Sequence, residues 1–269
     1  VLSLPRIASA PPAERRFFGV SALLFAVSTA VTIAWAARCS TMGEMAMPGG
    51  WMMSMAWMPM PGQTWLGAAA SFLGMWNVMM VAMMLPSLVP MLWRYRRCVG
   101  AAREAQLGRL TVFVGLAYFF VWMIIGIAAF LVGVALAATE MQLPALSRAM
   151  PSAVGAVVLI AGALQLSAWK ARQLACCRNT PARDGSLSAD AATAWRYGLR
   201  LGLRCCNCCA GLTAMLLVIG IMDLRAMALV AAAITAERLE PAGERVAQAV
   251  GVLAIGLALL LIARAAGLG

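Results

Sequence analysis

Long apolar runs broken by short basic loops set the pattern of this chain. The runs lie at about 17–37, 66–93, 111–138, 152–168, 203–222, 226–236 and 246–263. Most approach the ~20 residues that a helix needs to cross a bilayer. They are too long, and too rich in Ala, Leu and Met, to be strands of a buried sheet. The pattern predicts an all-α, polytopic transmembrane helical bundle of about seven segments. Six are full spans. The segment 226–236 is short and reads as a tilted or half-buried helix. Pro86 and Pro90 fall near the far end of the second run, where they are placed to kink it.

Polar positions divide the chain further. Residues 1–16 read as a loosely ordered cytoplasmic tail, and 17–265 as a single transmembrane domain. Within the first run, Ala34-Trp35-Ala36 resembles a signal-peptidase site. The run exceeds the usual length of a signal core, which favours a retained span. Residues 38–65 carry Pro48, Gly49, Gly50, Pro59, Pro61 and Gly62, breakers that predict a loop. Residues 169–202 form the longest hydrophilic stretch, read as a basic loop.

Charge then orients the bundle. With the N-terminus in the cytoplasm and all seven segments crossing, seventeen of the 21 Lys and Arg lie inside. Arg38, Arg148, Arg225 and Arg264 lie outside. This asymmetry obeys the positive-inside rule. It makes 38–65 periplasmic and 169–202 cytoplasmic, in the inner membrane of a bacterial cell. The net charge of +11 therefore reflects topology, and nucleic acid is not an expected partner. Only 12% of residues are charged, against roughly 25% in a soluble domain.

The candidate chemistry is narrow. There is no histidine, while fourteen of the 20 Met fall between Met42 and Met91, and four of the eight Cys between Cys205 and Cys209. A transition-metal site must use thioether, thiolate or carboxylate. The soft sulfur donors favour Cu(I).

Four constellations follow. The loop 38–65 holds Met42, Met45, Met47, Met52, Met53, Met55, Met58 and Met60 among Trp51, Trp57 and Trp65. Such spacing lets a flexible loop wrap several thioethers around one ion. The alternative is an adaptable apolar loop on the membrane surface. In the second run, Met75, Met79 and Met83 repeat every four residues, as do Trp76, Met80 and Met84. They form two adjacent rows on one helix face, either an ion path or a packing surface. Asn77 should bond a neighbouring helix.

The third constellation is Arg204-Cys205-Cys206-Asn207-Cys208-Cys209, which holds Cys-x-x-Cys twice. It is placed where a helix opens at the cytoplasmic interface. There the helix dipole and Arg204 both favour thiolate. The fourth is Asp223 and Glu237, one at each end of the short segment. They could be functional carboxylates, or could only cap and pair with Arg225 and Arg238. Cys176-Cys177 is a weaker candidate for a transfer site. Cys98, Cys176 and Cys177 fall in loops assigned to the reducing cytoplasm, and Cys39 stands alone opposite them, so no disulfide framework is expected. Phosphate loops, nucleophile elbows and HExxH are absent from the sequence, which leans away from an enzyme. Histidine-dependent acid–base catalysis is excluded.

Two stretches resemble a bacterial family described as predicted metal-binding integral membrane proteins. One is Trp76-Asn77-Val78-Met79-Met80-Val81-Ala82-Met83-Met84-Leu85-Pro86-Ser87 with Pro90-Met91. The other is Cys205 to Met215 with Gly220-Ile221-Met222-Asp223 and Ala236-Glu237-Arg238. The resemblance spans roughly 66–265. It implies a multi-span helical protein with metal-site positions at Met79, Met80, Met83, Met84, Cys208, Cys209, Met222 and Glu237. This chain departs from the family in the run Cys205 to Thr213, where a Gly-Cys-Cys-Trp-like run is expected.

The leading expectation is a membrane protein that binds Cu(I) for translocation or delivery. Outer Met would capture the ion, the second span would pass it inward, and Cys205, Cys206, Cys208 and Cys209 would receive it. Its partners would be the lipid bilayer and a copper protein or larger membrane complex, with the oligomeric state left open. Two alternatives stand beside it: a non-catalytic accessory subunit of a larger membrane complex, and a membrane thiol oxidoreductase.

Overall fold

A computed structural model describes residues 12–41, 45–46, 52–53, 62–99, 104–178 and 187–266. Eight helices appear there in chain order: α1 (Pro12–Thr41), α2 (Trp65–Cys98), α3 (Glu104–Gln142), α4 (Pro144–Gln165), α5 (Ala168–Arg178), α6 (Ala191–Ile219), α7 (Leu224–Leu239) and α8 (Gly243–Ala265). Between α1 and α2, β1 (Met45–Ala46) pairs antiparallel with β2 (Met52–Met53), Met45 opposite Met53. Six helices, α1, α2, α3, α4, α6 and α8, are long and apolar enough to cross a membrane. Their outer faces are apolar too: Leu24, Leu131, Ile160, Leu203 and Leu253 are exposed. A surface so rich in exposed large side chains needs lipid to cover it. The all-α membrane fold is what the apolar runs predict.

Several boundaries differ from the sequence reading. α6 opens at Ala191, capped by the Asp190 side chain on the Thr193 N–H, and not near residue 203. The Cys run therefore sits several turns inside a helix and not at its N-terminus. The dipole argument for those thiols fails, because the effect fades within the first turn. The stretch 169–202 is largely helical, holding α5 and the start of α6. Pro86 and Pro90 lie inside α2, which stays one helix to Cys98.

Small residues bring the helices together. In α6, Gly198 and Gly202 are four apart and face α3. A Cβ on Gly198 would lie 2.4 Å from the Val114 carbonyl oxygen, and one on Gly202 2.9 Å from Val121. This close seating puts Tyr118 of α3 against the Cys run, as small-x-x-x-small contacts do in membranes. Gly126 of α3 makes room for the Trp76 ring, whose Nε1 donates to the Trp122 carbonyl at 2.8 Å. Asn77 bridges to α3 as expected, with Nδ2 3.2 Å from Met123 Sδ.

The short segment runs back along α6. From Cys205 to Ile219 is fourteen residues, or about 21 Å of helix. α7 starts at a turn capped by Asp223 and retraces that distance, so that Arg238 lies beside Cys205. α8 then runs antiparallel to α4: Gly162 faces Gly251 and Ile255, while Gly155 faces Ile262.

Candidate metal centre

Four elements converge on Cys205. Residues four apart on a helix share a face, so Cys205 and Cys209 present their sulfurs together, 3.8 Å apart. Met84 of α2 brings its thioether to 3.9 Å from Cys205 Sγ. Tyr118 of α3 donates its hydroxyl to the same sulfur at 2.9 Å. Arg238 of α7 donates through Nη1 to Cys205 Sγ at 3.1 Å and to Ser87 Oγ at 2.9 Å. Cys205, Met84 and Tyr118 are completely enclosed. Two strong donors aimed at one sulfur is the geometry of an anionic acceptor.

The expected Cys-x-x-Cys pairing is not what the helix produces. Cys205 pairs with Cys209, one full turn on. Cys208, three residues on from Cys205, lies on the side of α6 that α5 covers: Lys170 of α5 donates to its carbonyl, and Cys177 of α5 reaches the Arg204 carbonyl one turn before it. Cys206 is buried, but no hydrogen bond ties its thiol to either group among the described residues. Cys177 also donates to the Arg204 carbonyl at 3.3 Å. No disulfide joins the described cysteines.

Two buried cations flank these thiols. Lys170 on α5 pairs with Glu237 Oε2 at 2.7 Å and donates to the Cys208 carbonyl at 2.7 Å. Gln165 donates to the other Glu237 oxygen at 2.6 Å. Glu237 thus has its partner in Lys170 and not in the adjacent Arg238. Asp223 accepts from the backbone N–H groups of Arg225 and Ala226 and is a helix cap. Among the described residues, Arg238 has no carboxylate partner, and its Nε and Nη2 are buried without a hydrogen-bond partner.

Among the described residues, no three His, Cys, Asp or Glu side chains form a metal site alone. Here the third donor is a thioether. Metal–sulfur bonds of about 2.3 Å to sulfurs 3.8–3.9 Å apart subtend roughly 110–115° at the ion.

The other sequence candidates are scattered. Met75, Met79, Met80 and Met83 are buried in the core and line α2 above Met84. Met222 is half-buried in the α6–α7 turn, away from the sulfurs. Met52 and Met53 form β2, and Met55 lies outside the described residues, as do Met42, Met47, Met58 and Met60. Tyr118, Gln165, Lys170 and Ser87 were not singled out as site residues. Lys170 carries one signal: it is the sole Lys among 21 basic residues.

A family model described as PpoB2, copper chaperone, matches residues 73–261. The match takes in Met84, the Cys run, Lys170 and Arg238, and leaves out the Met-rich loop. No curated protein and no solved structure matches the chain. A copper-related role accords with the metal-binding resemblance and with a donor set made of sulfur. The chain belongs to the PpoB2 copper chaperone family.

Proposed function

We propose that this protein binds Cu(I) between Met84, Cys205 and Cys209 and delivers it through the inner membrane of a bacterial cell. The observation that carries the reading is the sulfur triad beside a guanidinium that has no carboxylate partner among the described residues. Two thiolates and one Cu(I) sum to one negative charge, which Arg238 cancels. A divalent ion would leave one positive charge uncompensated in a low-dielectric site, where unpaired charge is costly. Thiolate and thioether also select soft ions by their chemistry.

The outer Met52, Met53 and Met55 would capture the ion, and Met79, Met80 and Met83 would pass it to Met84. Seventeen of 21 basic residues on one side support the orientation with the N-terminus and α5 in the cytoplasm. A thiol oxidoreductase fits less well. A disulfide needs Cβ atoms about 3.5–4.5 Å apart, whereas residues one turn apart on a helix hold them at about 5–6 Å.

The test is Cu(I) competition on the double variant Cys205→Ser, Cys209→Ser. Hydroxyls are hard donors and cannot replace thiolates, so the tightest site should vanish while helix content is kept. Unchanged affinity would remove the site and favour the accessory-subunit reading. Leu at Met79, Met80 and Met83 should keep the fold, since each volume-conserving swap costs under ~1.5 kcal/mol. Copper delivery should nevertheless collapse.

A further inference from the structure

The buried pair poses a problem of release. Cys205, Cys209 and Met84 are each 0–1% exposed. No acceptor's ligand reaches an ion held there. The thiols that lead out are Cys208, beside Cys209 in the chain, and Cys177 of α5, which donates at 3.3 Å to the Arg204 carbonyl, one helical turn before Cys208.

α5 is built to hold that second contact. Lys170, Leu174 and Cys177 fall at i, i+4 and i+7, one face of the helix. All three are 1–2% exposed. This face seats α5 against α6, and the Lys170–Glu237 ion pair ties it to α7. Cys177 is thereby kept at Cys208, with its thiol also donating to the Arg204 carbonyl. Cys176, next in the chain and off that face, is exposed.

We propose that Cys208 and Cys177 form a second soft-metal site, through which Cu(I) leaves the buried pair towards the exposed Cys176. The inference rests on the copper site proposed above. Transfer is ligand exchange without electron transfer. A bond forms from the Cys208 sulfur to Cu(I) as the bond to Cys205 breaks, and the Cys208 proton passes to the released Cys205 thiolate. The Cys177 sulfur then replaces Cys209 in the same way, its proton going to Cys209. Both thiolates lost from one site are regained in the other, and copper remains Cu(I).

The experiment uses the full chain in detergent, loaded with Cu(I) and mixed with excess soluble Cu(I) chelator. Cys177→Ser and Cys177→Ala are compared with the unaltered protein. The Ala variant avoids burying a hydroxyl and guards against misfolding. Both should retain the affinity of the tightest site, yet release Cu(I) about tenfold more slowly, because the first soft donor outside the pair is gone. Cys176→Ser should slow release less, since the outer site remains filled. Normal release rates in both Cys177 variants would overturn the exit site while leaving the buried site intact. Absence of Cu(I) binding by the unaltered protein would instead overturn the copper site itself, and this inference with it.

Discussion

Lys170 and Arg238 are both buried cations at the same cysteine run, yet their surroundings differ. Lys170 faces Glu237 at 2.7 Å, and Gln165 satisfies the second carboxylate oxygen. That group is a closed ion pair that clamps α5 to α7. Arg238 faces the tyrosine-bonded Cys205 sulfur and a serine hydroxyl, with two guanidinium nitrogens unpartnered among the described residues. One cation is balanced by the protein. The other is balanced only when sulfur carries charge. The difference separates a structural fastening from the site proposed to hold an ion.

The largest expected effect breaks the fastening. Glu237→Gln leaves Lys170 charged and unpaired, and removing one partner of a buried pair costs about 3–5 kcal/mol. Thermal unfolding in detergent should show a marked loss. A variant as stable as the parent would show that water reaches Lys170 and that the pair is not a clamp.

Arg238→Met should cost less, because a thiolate left without its cation neutralises by taking up a proton, an ordinary thiol having a pKa of about 8.5. The effect should instead appear in metal choice. With the guanidinium gone, the preference for Ag(I) over Cd(II) should fall by about tenfold or more, as the charge balance shifts towards divalent ions. Arg238→Lys should restore it. A preference unchanged by the loss of charge would mean that sulfur softness alone sets selectivity.

Gln165→Leu probes the balanced side more gently. It removes one charge-assisted hydrogen bond to Glu237, worth about 1.5–3 kcal/mol, and should lower stability without changing Cu(I) affinity. Weakened metal binding would couple the two cation environments and blur the distinction.

The smallest effect is at the exposed Asp190, which caps α6. The Thr193 backbone N–H, donating to the carboxylate, holds its pKa below the usual carboxylate value. A lowered native pKa stabilises the fold above the unfolded value of about 4 and loses that contribution as pH falls through the native one. The difference between Asp190→Ala and the parent should therefore shrink in acid. A difference that persists at low pH would show that the neutral side chain caps equally well.

Much of the architecture was legible along the chain. Apolar length identified the spans, and the every-fourth-residue Met rows correctly marked one face, since Met75 to Met84 all turn into the core. The Cys run was recognisable as chemistry from its density. Its pairing was not, because Cys-x-x-Cys suggests i and i+3 while the seating of α6 on α3 selects Cys205 with Cys209. Glu237 stood out as a carboxylate at the end of the short segment, but its suggested partner Arg238 turns to Cys205, and Glu237 pairs with Lys170 instead.

What the sequence by itself determined is therefore local and compositional. A chain this apolar forms helices suited to lipid, and a chain without histidine is left with thioether, thiolate and carboxylate as donors for a transition metal. The tertiary structure alone decided which sulfurs meet, through contacts between residues more than thirty positions apart: Met84, Tyr118 and Arg238 with Cys205, and Lys170 with Glu237. Helix periodicity records which face is buried. Which neighbour covers that face depends on close approaches such as Gly198 on Val114, and those are set by the packing of the whole bundle.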